Sequence, residues 1–144
     1  MMTGLCLIPL VIVGYTQTIQ TEWHTSKDIS GPSLEVQSCA TGLGARVAAG
    51  EEWVQIGPQY GYTWPLGAEW AITGQVHGGL GYSNTFHPTT GIRQVTKWNG
   101  GVDILVHYGR YNVKVGYDHM SNGKGLDPTN HGQDLVTVGM GYTF

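Results

Sequence analysis

The closing stretch Leu135–Phe144, LVTVGMGYTF, decides the fold. Val136, Val138, Met140, Tyr142 and Phe144 share one face; Leu135, Thr137, Gly139, Gly141 and Thr143 share the other. A period of two belongs to a β-strand, not to a helix. One face is large and apolar. The other is mostly small or polar.

The same split recurs upstream. Val54, Ile56, Pro58, Tyr60, Tyr62 and Trp64 alternate with Gln55, Gly57, Gln59, Gly61 and Thr63. Trp70, Ile72, Val76, Leu80 and Tyr82 alternate with Ala71, Thr73, Gln75, His77, Gly79 and Gly81. Val102, Ile104, Val106 and Tyr108 alternate with Gly101, Asp103, Leu105 and His107, and Tyr111, Val113, Val115 and Tyr117 with Asn112, Lys114, Gly116 and Asp118. A soluble sandwich alternates too, but its polar face would meet water. Here that face is rich in glycine and poor in charge, as in the crowded lumen of a small barrel. Trp64, Tyr82, Tyr108 and Tyr111, at strand ends, suit the aromatic girdles of a membrane barrel. The terminal Phe144, with apolar residues at alternate positions before it, resembles the C-terminal strand of bacterial outer-membrane β-barrels.

Composition agrees. The chain has 144 residues, enough for one domain, with 23 Gly, 8 Tyr, 5 Trp and only 12 % charged residues. A net charge of −3 gives no basic field for nucleic acid. Low charge with many aromatics also excludes intrinsic disorder. The longest apolar run, Leu5–Tyr15, is broken by Pro9 and falls short of the roughly 20 residues of a membrane-spanning helix. It has the length of a secretory h-region, so residues 1–16 read as a signal peptide cleaved near 14–18, and 17–144 as the barrel domain. The first residues carry no Lys or Arg, which leaves open an uncleaved chain, for example one made by a phage. Cys39, alone if Cys6 leaves with the leader, reads as a small buried residue.

The expected fold is all-β, a single antiparallel eight-stranded barrel of the transmembrane type. Strands are expected near 17–26, 33–39, 42–49, 53–64, 68–82, 92–108 (with a kink at Gly100-Gly101), 110–120 and 134–144. Pro65-Leu66-Gly67 and Gly109-Arg110 read as tight periplasmic turns, and residues 83–91 and 121–133 as external loops.

One constellation carries chemistry. His119-Met120-Ser121-Asn122-Gly123 is followed by Asn130-His131-Gly132-Gln133-Asp134. His119 and Ser121 lie two apart on a strand, about 6.5 Å between Cα atoms, and project from one face. An imidazole there can serve a hydroxyl as general base, and a third group must orient it. His119 and Ser121 continue the outward face of Val113, Val115 and Tyr117. Asp134 continues that of Val136 and Val138, whereas Asp118 and Gln133 point inward. Three polar groups on a lipid-facing wall are costly unless they pair with each other. A second H-x-S pair, His24-Thr25-Ser26, shares the parity of Gln20 and Glu22 and reads as inward and structural. His77, His107 and Asp103 read as lumen hydrogen-bonding groups rather than a metal site, and His87 and His131 as solvated loop residues. Gly78-Gly79 lacks the strand–loop–helix context of a phosphate loop.

Together the H-x-S-N-G element, the N-x-G-x-D element and the terminal aromatic strand resemble the lipid A 3-O-deacylase family of outer-membrane barrels. The likeness is specific over about residues 110–144 and looser from about 50. It implies Ser121 as nucleophile, His119 as base and Asp134 as the acidic third member, where the family often has Glu. It implies Asn122 and Asn130 as oxyanion or supporting groups. The implied reaction removes the ester-linked 3-O-acyl chain from lipid A of lipopolysaccharide, with no cofactor and no metal. The partners are then lipid A as substrate and the membrane itself, and a homodimer is compatible with such a barrel. Two other readings stand beside this one. One is a non-catalytic small outer-membrane barrel, structural or adhesive. The other is a phage virion component carrying a deacylase-like module.

Overall fold

The computed structural model describes residues 7–19, 29–83, 85–86, 93–94, 98–121 and 133–144, with the backbone alone described at 85–86, 93–94 and 121. Its strands are β1 Leu10–Ile19, β2 Gly31–Gln37, β3 Gly42–Gly50, β4 Trp53–Pro65, β5 Trp70–Ser83, β6 Thr85–Phe86, β7 Arg93–Gln94, β8 Trp98–Tyr108, β9 Tyr111–Ser121 and β10 Gln133–Thr143. Eight of them close an antiparallel barrel in the order β1-β10-β9-β8-β5-β4-β3-β2, and β6 pairs with β7 in a separate hairpin. Closure between the first and last strands runs from Leu10 opposite Thr143 to Ile19 opposite Asp134.

The expected class and strand number stand. Val138 and Met140 are exposed on the outside, while Gly139 and Gly141 are buried inside. A Cβ at Gly139 would lie 2.6 Å from Ile12 Cγ2, and one at Gly141 2.5 Å from Asn112 Oδ1. A side chain at either place would force its lumen neighbours to shift.

Three differences concern boundaries. The first strand is Leu10–Ile19, not 17–26, so residues 10–16 form part of the barrel wall. The cause lies in the lumen. Leu10 and Ile12 point inward to meet Leu105, while Val11 and Val13 point outward. With both faces apolar, the alternation vanishes and the segment looks like a hydrophobic leader. Second, the stretch expected as one strand over 92–108 divides: β8 begins at Trp98, and Arg93–Gln94 belongs to the small hairpin. Third, β2 lies at 31–37 instead of 33–39. The His24/Ser26 pair, His87 and His131 lie outside the described residues.

The start of β1, the end of β10 and the connections 38–41, 66–69 and 109–110 gather at one end of the barrel; at the other, two residues join β3 to β4 and connections of eleven or more residues join the remaining strands. Gly109, at φ 57°, occupies the first central position of the two-residue hairpin between Tyr108 and Tyr111. Aromatic rings line this end from β4 to β10: Tyr62 meets Trp64 at 4.8 Å, Trp70 meets Tyr108 at 4.9 Å, and Tyr142 meets Tyr111 and Phe144 at 5.3 and 5.2 Å. Tyr82 and Trp98 stand exposed toward the other end. Between them runs a belt of exposed Val, Ile, Leu and Met side chains. These are the features of a wall that meets lipid.

The lumen is filled. Toward the long-loop end, Ile29, Ala48, Trp53, Met120 and Leu135 form an apolar plug. Below it lies an ion cluster that the low overall charge did not foretell. Glu35 meets Lys114 at 2.5 Å and Arg46 at 3.1 Å, Lys114 meets Asp103 at 3.2 Å, and Arg46 meets Asp118 at 3.6 Å. His77 Nε2 stands 3.5 Å from Asp103 and 3.3 Å from Asp118. Asp103 is shared with Lys114 and Asp118 with Arg46, so three buried carboxylates face two cations and the His77 imidazole. Thr73 bonds His107 Nε2 at 2.8 Å lower down, as expected of a lumen histidine. Cys39 is buried, its thiol donating to the Thr41 carbonyl at 3.0 Å.

Candidate functional site

The β9–β10 hairpin fixes the site through its inward side chains. Met120 and Leu135 are fully buried in the apolar plug, each worth roughly 1.5–3 kcal/mol. Gln133 is also buried, accepting from the Ser83 hydroxyl at 2.7 Å. With those residues locked inward, strand alternation turns their neighbours His119 and Asp134 outward.

His119 and Asp134 lie directly opposite each other in the register. His119 Nδ1 is 2.8 Å from Asp134 Oδ1. The same oxygen accepts a bond from the Tyr117 hydroxyl at 2.6 Å. Asp134 faces outward and yet its side chain is only 6 % exposed, against 38 % for His119. Its two neighbours cover it. Asp118, the other acid nearby, is buried in the lumen cluster, so parity separates the two carboxylates as the sequence indicates.

Ser121 ends β9 two residues beyond His119, opposite Trp98. Its side chain lies outside the described part of the structure, as do Asn122 and Asn130. The structure thus brings together His119 and Asp134 and sets the backbone of Ser121 next in line. Tyr117 was absent from the residues the sequence singled out for chemistry. The available signal was its position: a phenol on the outward face, two residues before the histidine and diagonal to the acid.

The outward row through His119 continues sideways onto Gly100 of β8 and Gly78 of β5. Neither glycine has a positive φ. A Cβ would have its nearest neighbour at 3.8 Å on Gly100 and at 3.5 Å on Gly78, which is ordinary contact. The backbone therefore does not require glycine at either place. The result is a strip bare of side chains, with exposed Trp98 and Leu80 along one margin and Val102 and Val76 along the other.

No family model matches this chain, and no curated protein matches it. Solved structures do. Neisserial surface protein A is similar over 94 % of this chain and 96 % of its own, at 13 % identity and a TM-score of 0.57. Ail, the attachment invasion locus protein of Yersinia pestis, is similar over 94 % and 97 %, at 13 % identity and 0.53. The outer membrane protein OprG from Pseudomonas aeruginosa is similar over 99 % and 98 %, at 12 % identity and 0.53.

The fold is that of a small bacterial outer-membrane β-barrel. At these identities the likeness carries the architecture alone. The apolar belt and its girdle fit residence in such a membrane. With the end that carries the 38–41, 66–69 and 109–110 connections periplasmic, His119 and Asp134 lie toward the outer face.

Proposed function

We propose that this barrel is a serine esterase that removes the 3-O-acyl chain from lipid A. The observation that carries the reading is the His119–Asp134 pair at 2.8 Å on the lipid-facing wall. A carboxylate and an imidazole there are costly to keep, and an acyl ester of the surrounding lipid is the substrate they would meet. With Nδ1 engaged by Asp134, Nε2 is the nitrogen that would take a hydroxyl proton in such a triad.

In this reading Ser121 Oγ attacks the ester carbonyl and His119 Nε2 takes its proton. The tetrahedral intermediate collapses with loss of the sugar 3-oxygen, which His119 protonates. Water, deprotonated by the same imidazole, then releases the fatty acid from the serine. Asp134 holds the tautomer and stabilises the imidazolium. Asn122 and Asn130, with nearby backbone N–H groups, would stabilise the oxyanion. The acyl chain lies against Val113, Val115 and Val138 and the bare Gly100–Gly78 strip, which sets the ester at Ser121.

The solved neighbours by themselves favour a second reading, a non-catalytic barrel with a structural or adhesive role. They are a surface protein, an attachment invasion locus protein and an outer membrane protein. Mass spectrometry of lipid A incubated with the folded protein separates the two. The esterase yields lipid A lighter by one 3-O-acyl group, together with the free fatty acid, and Ser121→Ala yields neither. Unchanged lipid A after incubation with folded wild-type protein would leave the second reading.

A further inference from the structure

We propose that Tyr117 is a positioning residue of this site, its phenol holding the Asp134 carboxylate in the orientation that grips His119; this rests on the esterase reading. Asp134 is an acid on an apolar wall. Val138 and Met140, on the same strand and face, are 52 % and 70 % exposed, whereas the Asp134 side chain is 6 % exposed. It is covered from the membrane side by Tyr117, whose hydroxyl donates to Oδ1 at 2.6 Å. Tyr117 pairs with Val136, two residues along from Asp134, so the contact is the diagonal one that long side chains make across a strand pair.

Among the other outward tyrosines, Tyr62, Tyr111 and Tyr142 contact aromatic rings in the girdle, and Tyr108 bonds Glu69 beside the 66–69 connection. Tyr117 directs its hydroxyl to a carboxylate oxygen that also faces His119 Nδ1. The terminal torsion of an aspartate carboxylate is broad, so each donor on it narrows its rotation. A second donor on the same oxygen fixes that torsion and supplies part of the solvation that lipid cannot. The phenol meets no reacting atom, so its effect passes through Asp134.

The test is a double-mutant cycle on folded, detergent-solubilised protein, with lipid A bearing its 3-O chain as substrate and fatty-acid release followed by mass spectrometry. Tyr117→Phe is expected to lower kcat about ten- to a hundredfold, the range of a hydrogen bond to a charged group, with KM and folded fraction near wild type. In the Asp134→Asn background, Tyr117→Phe should cost nothing further, because the group it acts through is already gone. A kcat within twofold of wild type in the single variant overturns the proposal. So do losses that multiply across the pair. A merely structural tyrosine would reduce the folded fraction and leave the turnover of each folded molecule intact. If wild type is active, Ser121→Ala inactive and Tyr117→Phe unimpaired, the positioning role alone fails. If folded wild-type protein releases no fatty acid, the esterase reading fails and this proposal with it.

Discussion

His119 and Asp134 face each other in direct register across the last hairpin, Nδ1 to Oδ1 at 2.8 Å, on the side of the barrel that meets lipid. In the adjacent pair of the register, Met120 and Gln133 are fully buried. The outward pair is therefore held by the packing of its inward neighbours.

This relationship ranks the carboxyl and amide candidates for the third member. Asp134→Asn is expected to lower fatty-acid release by up to roughly 10⁴-fold, as loss of the orienting carboxylate does in other triads. Gln133→Ala should act far less, because its amide lies in the lumen against Ser83. Ser121→Ala and His119→Ala should abolish release while leaving lipid binding and the folded state intact. Rates per folded molecule check all four. The reverse ranking of Asp134→Asn and Gln133→Ala would show the wrong third residue.

Gly100→Val and Gly78→Val probe the bare strip. A Cβ meets only ordinary contacts at both positions, so the barrel should still fold. The new side chains would fill the space beside His119. We expect KM to rise by about tenfold, the worth of roughly 1.4 kcal/mol of lost chain contact, with little change in kcat. Unaltered KM in both variants would place the acyl chain elsewhere on the wall.

Lys114 tests the lumen. It is fully buried and shared between Glu35 and Asp103. Lys114→Met leaves both carboxylates short of a partner and should destabilise the barrel by about 3–5 kcal/mol. Equilibrium unfolding by urea in lipid vesicles measures this. A loss below about 1 kcal/mol would mean that the remaining groups rearrange to rebalance the cluster.

The first strand makes a prediction about the chain's beginning. Residues 10–16 supply seven of the ten paired positions of β1 against β10. N-terminal sequencing of folded protein recovered from outer membranes is expected to show a start at or before Leu10. Deleting residues 1–16 should abolish the folded form. A folded protein starting at 15–18 would require a different closing strand.

The sequence by itself determined what depends on local order along the chain. Alternation in 53–64, 68–82, 101–108, 110–120 and 135–144 is written residue by residue, so strand type, facing and the barrel class were legible there. It also placed His119 and Asp134 on the outer wall, because parity follows from counting. Tertiary structure decided what depends on pairing between distant segments. β1 was hidden because Leu10 and Ile12 meet Leu105 from another strand, which removes the polar half of the pattern. The lumen ion cluster draws Glu35, Arg46, Asp103, Lys114 and Asp118 from four different strands, and no spacing in the chain announces it. Tyr117 looked like one more belt aromatic until the register set it diagonal to Asp134. A hydrogen bond across two strands is fixed by their relative shift, and that shift is chosen by the packing of the whole barrel.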